Sequence, residues 1–151
     1  APALAGAGAR SRTERGAIAT PASAVGARCL DLTRAWGRQG ETFGRPLSTR
    51  QVVRHQLVGI ARPVWVARTT TRAAYDAWMA TGDAVTEVSM AKNTACAVCD
   101  HFVDEAVQLF GGLGYMRESE VGRHYRDSRI LRIGGGTDEI MNEVIAKRIG
   151  L

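Results

Sequence analysis

Two short stretches of this 151-residue chain place chemically capable residues at telling spacings. Near the start, Glu14-Arg15 sets a carboxylate four residues before Ile18 and eight before Ala22, on the helical face that those apolar residues share. Turned inward, such a carboxylate is costly unless it is paired or has a use as a base; in a frayed first turn it simply suits the positive end of the helix dipole. Near the end, Gly134-Gly135-Gly136-Thr137-Asp138-Glu139 puts glycines ahead of a Thr able to cap a helix. Glycines there let a phosphate or a carbonyl approach backbone N–H groups, and they serve equally as a tight turn. The loop has neither the Lys of a P-loop nor the preceding strand of a dinucleotide fingerprint.

The remaining reactive side chains give weaker signals. Cys96-Ala-Val-Cys99 has the spacing of a redox pair or half a zinc site, but it falls inside a helical run with no second pair to complete a metal shell, so core packing is its expected role. His55, His101 and His124 lie far apart and outside any metal-binding frame. No metal ligand is assigned.

The elements that must carry these residues follow from apolar spacing. Ile18, Ala22, Val25, Cys29, Leu32 and Trp36 alternate steps of four and three, drawing one helical stripe, with Pro21 tolerable in the first turn or so. Gly40, Gly44 and Pro46 break it. A near-heptad then runs through Leu57, Ile60, Val64, Ala67, Thr71, Ala74 and Trp78, with Pro63 expected to kink it and Gly82-Asp83 to end it. A third run, Val88 to Leu109, stops at the glycines of 111–115. After a polar, arginine-rich segment at 117–132, a last helix is expected over 138–148. Three long helices on short connections, completed by a shorter fourth, predict an all-α, antiparallel up-and-down four-helix bundle over 14–151. Residues 1–13, small and without apolar periodicity, read as a flexible lead or junction. No segment shows strand periodicity.

Composition limits the function classes. Hydrophobic residues at 45% and charged residues at 23% fit one folded domain. No run approaches the ~18 apolar residues of a membrane span. The formal charge of +5 is spread from Arg10 to Arg148 among interleaved acids, without the basic block that a nucleic-acid surface needs. Three cysteines are too few for a disulfide framework, which favours a reducing compartment and a cytoplasmic location.

Several separated motifs together go beyond a generic bundle. Thr42-Phe43-Gly44-Arg45-Pro46-Leu47 followed by Gln51, then Ala91-Lys92, then Ala106-Val107-Gln108-Leu109-Phe110-Gly111-Gly112-Leu113-Gly114-Tyr115, then Tyr125-Arg126-Asp127-Ser128-Arg129 and Ile133 to Ile140 closely resemble, in order and spacing, the C-terminal helical domain of the acyl-CoA dehydrogenase family. The resemblance implies a flavoprotein in which FAD oxidises an acyl-CoA thioester to the 2-enoyl-CoA and electrons pass to an electron-transfer flavoprotein. It also implies a homo-oligomer, dimer or tetramer. In most members the base that takes the α-proton precedes the Gly-Thr of the last loop, where this chain has Gly135. A minority carry it in a Glu-Arg pair ahead of the Phe-Gly motif, and Glu14-Arg15 matches that place. The resemblance assigns Thr42, Phe43 and Gln51 to the FAD of a neighbouring subunit, Gln108 and Gly112 to the dinucleotide, and Thr137 and Glu139 to the flavin side.

Two positions depart from the family pattern. Gly40 stands where an arginine usually contacts the pyrophosphate, with Arg38 the nearby substitute, and Gly16 follows Glu-Arg where an apolar residue is usual. The family's N-terminal helical and middle β-domains do not fall within these residues, so the isolated chain is expected to be inactive. The alternatives are a non-catalytic helical oligomerisation module and a same-fold acyl-CoA oxidase or flavin monooxygenase.

Overall fold

The computed structural model describes the backbone of residues 2–151 and the side chains of 13–151. Helix α1 spans Pro2–Gln39, α2 Gln51–Thr81 and α3 Val85–Phe110. Between α1 and α2 lie two-residue strands, β1 (Glu41–Thr42) and β2 (Arg45–Pro46), and a 3-10 turn at Leu47–Thr49. After α3 come α4 (Gly112–Tyr115), α5 (Glu120–Ser128), a 3-10 turn at Arg129–Arg132 and α6 (Asp138–Ile149).

Cross-helix contacts give the directions. Thr20 meets Tyr75 and Ser23 meets Thr71, whereas Gly37 lies beside Leu57, so α2 runs against α1. Arg15 reaches Ser89 and Trp36 reaches Leu109, so α3 runs with α1. Asn93 bonds Asn142 and Arg148 bonds Asp83, so α6 runs against α3. The topology is the expected up-and-down one, with α3 touching α1, α2, α5 and α6. Its central place follows from its composition: Ala95, Cys96, Cys99, Phe102, Val103 and Ala106 are all buried, against Cys29 of α1, Ile60 and Val64 of α2, and Val121 of α5.

The fourth position of the bundle is composite. The arginine-rich segment expected to be merely polar holds α5 and the 3-10 turn after it, and these share the position with α6. α5 docks by close approach rather than by an apolar stripe: a Cβ on Gly122 would stand 2.5 Å from the Gly114 carbonyl oxygen. The Ser119 side chain caps α5 by accepting from the Gly122 N–H.

Three further differences concern α1 and the hairpin at its C-terminal end. The helix extends back to Pro2 through the expected flexible lead, whose Ala-rich composition favours helix; the side chains of residues 1–12 lie outside the described residues. Pro21 therefore sits in the helix interior rather than the first turn, where it leaves the Ala17 carbonyl without its i+4 donor. Gly16, where an apolar residue is usual, is buried within α1, and a Cβ there would lie 3.1 Å from the Tyr75 hydroxyl of α2. The two strands of the hairpin are too short to show periodicity in sequence. Their two-residue loop, Phe43-Gly44, has φ of 51° and 72°, the left-handed pair that a tight hairpin requires.

Candidate functional site

The glycine loop ahead of α6 folds back onto the early part of α1. Gly135 and Gly136 have φ of +64° and +104°, conformations that side chains rarely adopt, and both are closely packed. A Cβ on Gly136 would stand 2.6 Å from Met141 Cε. One on Gly135 would stand 2.7 Å from Ile18 Cδ1, 3.7 Å from Glu14 Cγ and 3.8 Å from Arg15 Cγ. Glu14 and Gly135, the two positions at which the resemblance looks for a base, thus adjoin in space. Glu14 does not point into the core; it is exposed on α1, beside the loop.

Helix α3 supports this loop from below. Lys92, fully buried, donates from Nζ to the carbonyls of Gly136 (2.6 Å) and Arg132 (3.3 Å) and lies 3.8 Å from Asp138 Oδ1. Asn93 donates to the Asp138 carbonyl (3.2 Å) and Cys96 Sγ to that of Leu131 (3.3 Å). Ser89, one turn earlier, accepts from Arg15 Nη1 at 3.5 Å. Arg132 closes the outer side, bonded through Nε to Asp138 (2.7 Å) and through Nη1 to Asp100 (3.0 Å), and these bonds, Asp100's first, raise its pKa.

Thr137 is the N-cap of α6, its hydroxyl oxygen accepting from the Ile140 N–H at 3.5 Å. Glu139 is exposed, and a hydrogen bond from Thr137, followed by one from its own backbone N–H, holds its carboxyl below the usual range. Burial lowers the pKa of Arg15, opposed by the charge of Glu14, and Arg15 Nε is buried without a hydrogen-bond partner.

The other predicted residues gather at the opposite end of the bundle. Phe43 is 97% exposed at the hairpin tip, its ring 5.6 Å from the Arg50 guanidinium, which also donates to the Thr42 carbonyl. Gln51 opens α2, Gln108 stands in the last turn of α3, and Gly112 opens α4; all three are exposed. A Cβ on Gly111 or Gly112 would meet only open space. At ~1.5 Å rise per residue, Glu14 and Gln39 are about 38 Å apart along α1, so Glu14, Thr137 and Glu139 form one group and Thr42, Phe43, Gln51, Gln108 and Gly112 another.

Gly40 is a packed position rather than a vacant arginine site. Its N–H donates to the Trp36 carbonyl, its carbonyl accepts from the Leu47 N–H, and a Cβ would stand 3.0 Å from both Leu47 Cδ1 and Trp36 Cε2. The nearby Arg38 is exposed. Sequence reasoning missed Lys92 as a site residue. The available signal was a lysine, one of two in the chain, set between the stripe residues Ala91 and Ala95.

Residues 7–150 match the model of the acyl-CoA dehydrogenase C-terminal domain, and the chain belongs to the acyl-CoA dehydrogenase family. It is similar to a probable acyl-CoA dehydrogenase from Mycobacterium abscessus, with 62% identity and a TM-score of 0.91 over 93% of this chain and 38% of that one. It is 33% identical to the mitochondrial long-chain specific acyl-CoA dehydrogenase of Sus scrofa over 90% of this chain and 32% of that protein. An acyl-CoA dehydrogenase from Bacillus anthracis, solved in complex with FAD, matches at 26% identity and a TM-score of 0.82 over 89% of this chain and 26% of that one. The chain spans about a third of the length of the curated relatives it matches. Among the described residues no helix is long and apolar enough to cross a membrane.

Proposed function

We propose that this chain is the C-terminal helical part of an FAD-dependent acyl-CoA dehydrogenase, which oxidises an acyl-CoA thioester to the 2-enoyl-CoA, and that Glu14 is its base. The observation carrying this reading is the 3.7 Å between Glu14 Cγ and the Cβ position of Gly135. A carboxylate rooted on α1 and one rooted in the loop address the same space, so glycine at 135 leaves the task to Glu14 rather than abolishing it. Glu14 takes the α-proton on a carboxylate oxygen. Because it is exposed in this chain, the dry surroundings that suit a base depend on substrate and protein surfaces laid over it.

The far end of the bundle suits a dinucleotide. Phe43, Gln51 and Gln108 are exposed, and Gly111-Gly112 offers backbone with no side chain in the way. Thr42, Phe43 and Gln51 would hold the FAD of a neighbouring subunit, Gln108 and Gly112 would bear on the dinucleotide, and Thr137 and Glu139 would serve the flavin side. When bound, FAD supplies the hydride acceptor for the β-carbon. Electrons pass on to an electron-transfer flavoprotein, and the protein works as a homo-oligomer, dimer or tetramer, in the cytoplasm.

The test is Glu14→Gln in the full-length protein, which keeps the shape of the side chain and removes its basicity. Flavin bleaching by acyl-CoA under anaerobic conditions should slow by ~10²-fold or more, while acyl-CoA binding changes far less. Bleaching at the parental rate removes Glu14 from the mechanism.

A further inference from the structure

We propose that Lys92 is a positioning residue for proton abstraction: its buried ammonium clamps both ends of the 132–136 turn and so fixes the distance between that turn and Glu14. The inference rests on the reading of Glu14 as the base.

A side chain with no exposed surface that ends in an ammonium needs a specific reason to be there, since removing the charge from water is costly unless hydrogen bonds and an opposite charge replace the lost solvation. Lys92 has both. The carbonyls of Arg132 and Gly136 flank the turn, and one Nζ takes both, with Asp138 as counter-charge. The turn needs this donor because its left-handed glycines, Gly135 and Gly136, remove it from helical geometry and direct the Gly136 carbonyl towards α3, away from water.

The same ledge of α3 also holds the α1 side of the site. Ser89, one helical turn before Lys92, is buried and accepts from Arg15, the neighbour of Glu14. Asn93 and Cys96 bond the carbonyls of Asp138 and Leu131. Both walls of the site therefore hang from one face of one helix, and Lys92 is the member that reaches the turn itself. A proton transfer depends on donor and acceptor held within a few tenths of an ångström, so loosening one wall should slow the chemical step more than it weakens substrate binding.

The experiment compares Lys92→Met and the milder Lys92→Gln, which keeps a donor on a shorter, neutral stem, with the parent, all as full-length protein. The first measurement is amide hydrogen exchange and needs no substrate. Exchange across 133–137 should rise about tenfold or more while the middle of α3 keeps its protection. The second is single-turnover flavin bleaching, which should slow by about 10–10²-fold with the half-saturating acyl-CoA concentration changed by less than about threefold. Lys92→Gln should lie between parent and Lys92→Met in both, and it serves alone if Lys92→Met does not fold. Unchanged exchange at 133–137, or exchange raised throughout α3 and α6 with normal bleaching per folded molecule, overturns the clamp. Glu14→Gln run alongside separates the two readings: if it bleaches at the parental rate, the base assignment falls and takes the catalytic consequence of Lys92 with it, whereas the exchange arm still judges the clamp.

Discussion

Glutamate at position 135 meets two separable penalties, and their sizes follow from the packing of the loop on α1. The backbone there has φ of +64°, which costs a residue with a side chain roughly 1–2 kcal/mol. The new Cβ would stand 2.7 Å from Ile18 Cδ1, an overpacked contact of typically about 1–3 kcal/mol. Gly135→Glu alone should therefore lose about 2–5 kcal/mol of stability. The obstructing atom is the terminal methyl of Ile18, and Ile18→Val removes that methyl at a cost of ~0.5–1.5 kcal/mol. Ile18 is only partly buried, which favours the low end of that range. Denaturant unfolding of the four chains in a double-mutant cycle, monitored by helical circular dichroism, should show coupling of about 1–2 kcal/mol in favour of the double variant. The left-handed share of the cost should remain. In the full-length protein carrying Glu14→Gln, which by itself should lose ~10²-fold or about 2.7 kcal/mol of transition-state stabilisation, adding Gly135→Glu with Ile18→Val should restore part of the bleaching rate. Additive stabilities together with no recovery of rate would refute the adjacency of the two positions as the basis for their exchange.

Packing and charge elsewhere in the chain set further outcomes. Burial pushes the thiols of Cys29 and Cys99 up to about 12 and that of Cys96 up to about 11, so Ellman's reagent should leave all three untouched in the native chain and titrate them on unfolding; rapid native labelling would contradict their burial. Gly40→Ala drives a methyl against Leu47 and Trp36 and should destabilise by about 1–3 kcal/mol, with a shift in tryptophan emission as the local reporter. Glu120 accepts bidentately from Arg28, and that hydrogen bonding holds its carboxyl below the ordinary value of 4.5. Its contribution is therefore complete above that value and lost as pH falls through the lower folded one; the loss is small because both groups are exposed to solvent screening, and Glu120→Gln should remove it from the pH profile of unfolding.

The long helices were legible because each has a buried stripe that repeats over many turns: Ile60, Val64, Ala67, Thr71 and Ala74 are buried at the expected spacing. α5 was not, because its docking depends on Gly122 meeting Gly114, and two glycines leave no apolar period to read. The early part of α1 was hidden for a related reason, since small residues of high helix propensity carry no stripe. The site was half legible. Glu14 and the glycine loop each drew notice from residue type alone, but their adjacency depends on the way Ile18 and Gly135 meet, across most of the chain. Lys92 escaped because a lysine beside an apolar stripe ordinarily reads as a solvated edge, and only the inward carbonyls of residues 132 and 136 give its ammonium a destination.

The span of α1 bears on how defects combine. Residues some 38 Å apart along one helix cannot serve a single small-molecule site within one chain, so the roles proposed for Glu14 and the Thr42–Phe43 tip require that they belong to different sites, each completed by another copy. Two inactive proteins, one altered at Glu14 and one at Thr42, should then regain activity when assembled together. Each mixed pair contains one site carrying both lesions and one carrying neither, a genetic complementation that a self-contained site could not give.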